Sequence, residues 1–471
     1  MTERPSLVWF RNDLRVSDNP ALHAAAKSGA PVVALYVLED AKGLRPKGAA
    51  WKWWLFGSLR TLANHLAKHG VTLTLRHGDP RKIIAEIAKE ANVAGAFWNR
   101  RYETAEAKLD TEVEQWLLSQ NIPVETFNAS LLNEPWDIQS KSGGPIRVFT
   151  PYFKASTERG NPREIISAIR KLEAARAPKS ETLGEWNLEP STPDWATDMN
   201  RAWTRGEDGA KQRLKDFLSG ALKGYAEHRD RPDIDGTSRL SPYLAHGEIG
   251  PHQIAAELPA RGRDAEKYRA ELGWREFSYH LFHHFPDLPR RNFQRRFDAF
   301  PWRDDHKALA KWQQGLTGYP IVDAGMRQLW RTGWMHNRVR MVCASFLVKH
   351  LMLDWRLGEA WFWDTLVDAD PANNAASWQW VAGSGADAAP YFRVFNPVLQ
   401  GEKFDPNGDY VRNFIPEIGG LPNHLIHKPW EAAPLELAGA GIKLGGAYPA
   451  PIVDHREARE RALKAFQSLK G

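Results

Sequence analysis

Residues 368–392 read DADPANNAASWQWVAGSGADAAPYF, a stretch too polar for a core segment and too aromatic for an ordinary loop. It combines two carboxylates, an amide and two indoles: Asp368, Asp370, Asn374, Trp378 and Trp380. Each of these residues alone is typical of a helix cap or an aromatic core. Together they indicate a buried planar cofactor, since a flavin needs hydrogen-bond partners at its edge and aromatic neighbours for electron transfer.

The composition is that of a globular protein of two to three domains, with 471 residues, 42% of them apolar and 25% charged. The chain holds 21 Trp, which permits stacking platforms and electron relays besides core packing. The net charge of +6 fits a polyanionic partner.

The cysteine and histidine content further limits the kinds of protein and of binding site to be expected. The single cysteine, Cys343, excludes a disulfide framework and a cysteine-ligated iron-sulfur cluster, so we expect an intracellular protein. The histidines lack the spacing of a metal site, and we expect no metal. The start of the chain does not read as a signal peptide, and no apolar run reaches membrane-spanning length.

The first 130 residues alternate short apolar strands with amphipathic helices, a pattern that predicts a doubly wound parallel α/β sheet. The predicted strands are Ser6–Phe10, Pro31–Leu38, Val71–Arg76, Ala94–Trp98 and Pro123–Phe127. The predicted helices are Pro20–Lys27, Trp51–Lys68, Pro80–Glu90 and Glu103–Ser119. No GxGxxG follows the first strand, so a dinucleotide site of that kind is not indicated there.

Beyond the sheet region the composition changes twice. Residues 131–200 are rich in Pro, Ser, Gly and charge, which predicts an interdomain connector with one helix at Arg163–Ala177. We assign no chemistry to this connector. Residues 201–471 show helical periods and predict an all-α domain.

Three groups in the helical part are suited to ligand binding. Hydroxyls surround Arg239, and Ser241–Pro242 predicts a capped helix start that could hold a diphosphate, although an ordinary capped helix is the simpler interpretation. Glu271 and Trp274 share a helix face, for which the simpler interpretation is a solvated pair of Glu271 with Arg275. Farther along, Asn337 and Met341 share another face, with Arg340 directed toward an Asp of residues 368–392.

The motif DADPANNAASWQW followed by GADAAPYFRVFNP resembles the flavin-binding signature of the DNA photolyase and cryptochrome family. Its opening motif is similar to WFRNDLRVSDNPAL, and its flavin-diphosphate loop to TSRLSPYLAHGEI. The resemblance covers nearly the whole chain. It implies an α/β antenna-chromophore domain at residues 1–130 and a helical domain at 201–471 that binds FAD and DNA.

Residue by residue, the resemblance implies three sets of positions. The FAD set comprises Tyr225, Thr237, Ser238, Arg239, Leu240, Ser241, Tyr268, Trp334, Arg340, Asp368, Asp370 and Asn374. The set for damaged DNA comprises Glu271, Trp274, Arg275, Asn337, Arg338, Met341, Trp380 and Gln400. The electron relay from the surface to the flavin comprises Trp302, Trp355 and Trp378. Glu271 and Asn374 are expected to act in catalysis with this relay.

The family carries an antenna chromophore in this domain, commonly a methenyltetrahydrofolate or a deazaflavin, and we expect methenyltetrahydrofolate here. Folate-binding relatives often have an Asn-Glu pair where this chain has Ala105 and Glu106, so only the Glu is retained. Trp51, Trp53 and Trp54 could stack on a pterin, although the helical spacing of Trp51 and Trp54 favours a place in the core.

The expected activity is light-dependent splitting of cyclobutane pyrimidine dimers in DNA by electron transfer from reduced FAD. Plant cryptochromes carry Asp at the position that matches Asn374, so the neutral amide favours repair. The alternatives are a cryptochrome-type photoreceptor, a six-four photolyase and a light-independent flavin or nucleotide enzyme. We expect damaged DNA as partner and a monomeric protein.

Overall fold

The structure is a computed structural model that describes residues 4–160, 163–388 and 392–470. Residues 389–391 of the opening stretch therefore lie outside the described residues. The chain divides into two compact units. The first unit comprises residues 1–220 with 238–286, and the second comprises 221–237 with 287–471.

The first unit contains a five-stranded sheet in the order β3-β2-β1-β4-β5. Its strands are β1 Ser6–Phe10, β2 Val32–Glu39, β3 Leu73–Gly78, β4 Gly95–Asn99 and β5 Val124–Phe127. All four pairings are parallel, and Val8 of β1 lies beside Ala34 of β2 and Phe97 of β4. The predicted doubly wound α/β sheet is confirmed.

Side chains alternate between the two faces of a sheet along a strand, and all five residues of β1 are buried. Strand β1 is therefore covered on both faces. Val8 and Phe10 enter one core cluster, while Leu7 and Trp9 enter another. The helices that follow the first four strands are α1 Pro20–Lys27, α2 Ala49–Lys68, α3 Pro80–Glu90 and α4 Thr104–Ser119. Their bounds lie within two residues of the predicted ones.

The helix predicted at Arg163–Ala177 is wrong, since these residues form no helix. The backbone N–H of Val32 donates to Glu173 O at 2.7 Å, and Ala175 N–H donates to Val32 O at 3.2 Å. Strand β3 first pairs with β2 at Ala34, so the edge at Val32 is open to this segment. Sheet hydrogen bonds therefore override the helical periodicity of the connector.

The remaining helices divide between the two units. The first unit adds α5 Phe149–Arg159, α6 Thr197–Ala202, α7 Glu207–Ser219, α9 Ser241–Ala245, α10 Pro251–Glu257 and α11 Arg263–His284. The second contains α8 Tyr225–His228, α12 His306–Gln313, α13 Pro320–Thr332, α14 Asn337–Ser345, α15 Trp355–Thr365, α16 Pro371–Ala382, α17 Pro397–Phe404, α18 Asp409–Phe414, α19 Pro434–Gly439 and α20 His455–Gln467. The predicted helical C-terminal part is thus confirmed. Among the described residues, every helix is too short or too polar to cross a bilayer.

Candidate functional site

The opening stretch folds as helix α16 with a charged entry. Asp370 caps the helix and accepts from the backbone N–H of Asn373 at 2.7 Å, and Pro371 follows in the first turn. Two residues earlier, Asp368 pairs side by side with Arg340, at 3.1 Å from Nη1 and 2.8 Å from Nη2. The predicted direction of Arg340 is confirmed. The bidentate geometry fixes the position of the buried Asp368 carboxylate.

Asn374 lies one turn into α16 and is buried. Its Nδ2 donates to the side chain of Glu359 at 2.8 Å and to the main-chain oxygen of Glu359 at 3.0 Å. Because both hydrogens of the amide face Glu359, the oxygen Oδ1 is directed to the opposite side. Asn374 therefore presents its oxygen, a hydrogen-bond acceptor, away from Glu359. Glu359 was not predicted, since it lies fifteen residues upstream on α15 and reads as an ordinary helix surface residue.

The three relay tryptophans differ in burial. Trp355 and Trp378 are buried, whereas Trp302 is partly exposed. Trp355 Nε1 donates to Asn292 Oδ1 at 2.9 Å, which satisfies its buried N–H. Trp378 fits against Gly358, where a Cβ would lie 2.1 Å from the indole. The predicted relay thus has one partly exposed member and two buried ones.

The other predicted residues of the second unit differ in burial and in their partners. Trp334 and Tyr225 are buried, and the guanidinium of Arg340 lies 6.0 Å from the Trp334 ring. Arg338 donates to Asp230 at 2.7 Å and covers the ring of Phe404. Those that remain are exposed or partly exposed: Asn337, Met341, Trp380 and Gln400.

The hydroxyl-rich loop belongs in part to the first unit. Tyr268 donates to Ser238 Oγ at 3.0 Å, and burial raises the pKa of Tyr268 to about 12. Arg239 has a φ of 50°, a left-handed conformation that is uncommon for a side chain of this size. Helix α9 begins at Ser241 with Leu240 as its cap, so the prediction of Ser241 as the capping residue is wrong by one position.

Helix α11 carries the predicted DNA-binding residues of the first unit. Glu271 pairs with Lys267 at 3.2 Å. Arg275 donates to the carbonyl of Ser130 at 2.7 Å, and it also reaches the carboxylate of the next residue, Glu276. Trp274 stacks face to face on Phe149, with ring centroids 3.7 Å apart and planes 6° apart.

The predicted antenna residue Glu106 lies in a buried charge cluster of the first unit. Its Oε1 lies 2.9 Å from Lys47 Nζ and 3.9 Å from Arg101 Nη1. Burial alone would raise the pKa of Glu106, but these two cations lower it to about 2. Trp51 and Trp54 are buried, as their spacing predicted, and Trp51 stacks on His246 with centroids 4.6 Å apart. Within the described ranges, no three His, Cys, Asp or Glu residues are placed to hold a metal ion.

Comparison with known proteins gives this arrangement a family. Residues 6–174 match the DNA photolyase family model, and residues 268–468 match the model described as the FAD binding domain of DNA photolyase. The chain belongs to the DNA photolyase and cryptochrome family, and its helical part contains the FAD-binding domain of that family.

Within the family, the chain is 52% identical to the deoxyribodipyrimidine photo-lyase of Agrobacterium fabrum, over 99% of this chain and 98% of that protein. It is also similar to the crystal structure of a class III photolyase from Agrobacterium tumefaciens, with a TM-score of 0.97, 51% identity and coverage of 100% and 98% of the two chains. Cryptochrome-1 of Arabidopsis thaliana is 36% identical over 98% of this chain and 70% of its own length.

Proposed function

We propose that this protein is a light-dependent DNA repair enzyme, a deoxyribodipyrimidine photo-lyase that splits cyclobutane pyrimidine dimers. The observation that carries the proposal is the 52% identity to a photo-lyase over almost the full length of both chains. The orientation of Asn374 supports it, because the residue offers a neutral acceptor where a carboxylate would oppose added negative charge.

The donor set fits a flavin dinucleotide. Three hydroxyls, from Thr237, Ser238 and Ser241, together with Arg239, suit the diphosphate, because phosphate oxygens accept from hydroxyl and guanidinium donors. Arg340 and Asp368 suit the polar edge of the ring system, and Asn374 suits a ring N–H donor. When bound, reduced FAD supplies the light-excited electron that opens the dimer and takes it back afterwards.

The remaining residues of the second unit then have separate roles. Glu359 orients the amide of Asn374. Trp378, Trp355 and Trp302 would form the path by which electrons from the surface restore the reduced cofactor, since Trp378 and Trp355 are buried and Trp302 is partly exposed.

The DNA residues would bind a dimer that has left the helix. The handling of an extruded nucleotide is a known property of photolyases as a class. Trp274 and Trp380 provide stacking faces, while Glu271 and Asn337 provide polar contacts to the damaged base edges. Arg275 and Arg338 bring positive charge, which would make binding weaken as salt rises. The protein would act beside DNA inside the cell, as a monomer.

An antenna chromophore in residues 1–130 is the second part of the proposal, with methenyltetrahydrofolate as the candidate. Glu106 is the residue retained from the folate pattern, and its pairing with Lys47 keeps it ionised and able to accept from a pterin. A near-ultraviolet absorber that co-purifies with the protein and is identified by mass spectrometry would test this.

The decisive experiment uses the purified protein with its flavin reduced. Thymine-dimer oligonucleotide is incubated with it under blue light and in darkness, and intact dimer is counted by chromatography. We expect loss of dimer in light only, with a six-four photoproduct left unchanged. Bound FAD without repair would contradict the proposal and favour a photoreceptor. The similarity of the chain to a cryptochrome is the observation that supports this second candidate.

A further inference from the structure

Phe149, which begins helix α5 in the connector, stacks on one face of Trp274. The two ring centroids are 3.7 Å apart and the planes are 6° apart, which is direct stacking. Phe153, one turn further along α5, continues the stack at 5.4 Å from Phe149 with planes 16° apart. The three rings therefore form a column within the first unit, with Trp274 at its end.

The backbone of the connector is hydrogen-bonded to helix α11, which carries Trp274, over several turns. The carboxylate of Glu276 accepts from the backbone N–H of Leu132 at 2.8 Å. The preceding residue on the helix, Arg275, donates to the carbonyl of Ser130. Farther along, His280 Nδ1 lies 2.9 Å from the carbonyl of Pro135, and its Nε2 accepts from the N–H of Ile146. These bonds fix where residues 146–153 lie against α11.

The fit at Gly273, the residue before Trp274, shows that helices α5 and α11 are tightly packed. A Cβ at Gly273 would lie 2.4 Å from the Phe153 ring, so only glycine allows α5 to approach α11 this closely. Phe277, one turn after Gly273, meets Phe149 and Trp274 edge-on, with centroids 6.0 Å away in each case.

An indole offers two faces to stacking partners, and in this protein Phe149 covers one of them. We propose that Phe149 is a positioning residue of the substrate site, which holds the Trp274 ring so that its other face receives a base of the dimer. This inference rests on the proposed function. It gives the connector, to which the sequence analysis assigned no chemistry, a part in substrate recognition.

The physical reason is preorganisation. A partly exposed Trp on a helix surface samples several rotamers, and fixing one of them on binding weakens affinity. A flat ring stacked on its back face fixes the rotamer before DNA arrives. Aromatic stacking of this kind has a free energy that corresponds to roughly a three- to tenfold change in a dissociation constant.

The test compares Phe149→Leu with Phe149→Tyr in the full-length FAD-bound protein. Leu keeps an apolar side chain but loses the flat face, whereas Tyr keeps the face. In darkness we expect Phe149→Leu to raise the dissociation constant for dimer-containing oligonucleotide roughly three- to tenfold. Binding of the undamaged oligonucleotide, FAD content and the light-driven repair rate at saturating DNA should stay at wild-type values, and Phe149→Tyr should restore affinity.

Phe277→Leu is the matched control, because it removes a buried ring from the same cluster without removing the face-to-face contact. An equal loss of dimer affinity in Phe277→Leu would assign the effect to general packing and overturn the inference. Unchanged or tighter dimer binding in Phe149→Leu would also overturn it, since tighter binding would mean that Phe149 occupies the face used by the base. A wild-type protein that repairs no dimer would instead refute the proposed function, and the substrate role of Phe149 with it.

Discussion

Two buried charge clusters, one in each unit, use similar residues for different ends. In the first unit, Arg101 contacts three carboxylates: 2.7 Å to Glu39, 2.5 Å to Asp110 and 3.9 Å to Glu106. In the second unit, Arg340 and Asp368 satisfy each other, and the neighbouring amide of Asn374 is held by Glu359 with its oxygen turned away.

The difference is in what the cluster leaves available. In the first cluster each carboxylate faces a cation inside the protein, because Lys47 also pairs with Glu106 and Arg11 with Asp110, and Glu106 is its one member that we propose contacts a ligand as well. In the second cluster the Asn374 amide donates to Glu359, and its oxygen, a hydrogen-bond acceptor, points away from these bonds. Buried charge alone therefore does not identify a binding site; a polar atom held in place by neighbours and directed away from them is the better indicator.

The strongest test of the comparison is Arg101→Met. It would leave three buried carboxylates without their shared cation, so we expect it to lower the free energy of unfolding by about 4 to 5 kcal/mol. Chemical denaturation measures this. Because the cluster has no part in holding the flavin, FAD bound per folded molecule should be unchanged, and a loss of FAD would break the distinction between the two clusters.

Arg340→Met should have a somewhat smaller effect on stability, about 3 kcal/mol, because Arg340 has one carboxylate partner and is partly exposed. Its effect on the cofactor should be larger than that of Arg101→Met, since Asp368 would lose the bidentate partner that holds it in place. The visible spectrum of the folded fraction reports FAD content. Arg340→Lys is the control: it keeps the charge but loses the bidentate geometry, and an outcome equal to wild type would mean that charge alone suffices.

The pH dependence of Glu106 sharpens the contrast. Its folded pKa of about 2 lies below the ordinary 4.5, so its ionised form stabilises the protein above pH 4.5, and that stability is lost as pH falls from 4.5 toward 2. The shift corresponds to about 3 kcal/mol as an upper bound. We expect Glu106→Gln to be less stable than wild type at pH 7 by about 2 to 3 kcal/mol and the gap to narrow by pH 3. A gap that is constant with pH would exclude the ion pairs as its source.

Asn374→Asp should have the smallest effect on stability, about 1 to 2 kcal/mol, because it replaces an N–H donor by a second carboxylate facing Glu359. Its functional effect should be faster reoxidation of the reduced flavin in air, followed by the visible spectrum. Adding Glu359→Gln to this variant restores a donor between the side chains, so stability should recover while fast reoxidation remains. Recovery of both properties would show that the charge at position 374 is not what controls the flavin.

Local sequence patterns predicted the sheet well because the strands are short apolar or alternating segments and two of the helices begin at a capping side chain, Asn19 and Asp79. The direction of Arg340 toward an Asp of residues 368–392 was also predicted, and its pairing with Asp368 confirms it. The failures share one cause. Arg163–Ala177 is periodic enough for a helix, yet its conformation is decided by an open sheet edge at Val32, far away in the sequence.

The site residues that sequence reasoning missed are also set by distant partners. Glu359 matters because of Asn374 on the next helix, and Phe149 because it meets Trp274 more than a hundred residues later. Neither belongs to a local motif. A pairing between positions that far apart becomes visible only when the packing of helices is known.

Gly358 has a consequence for the evolution of this chain. It lies on α15 one turn after Trp355, and its missing side chain is the space in which the Trp378 indole of α16 sits. Any residue with a Cβ there would push the two helices apart, and with them two members of the proposed relay. Electron tunnelling falls steeply with distance, so even alanine at position 358 would be selected against because it would slow electron transfer along the relay. Repacking of neighbouring side chains could restore the thermal stability of such a variant, but not the distance between the two indoles.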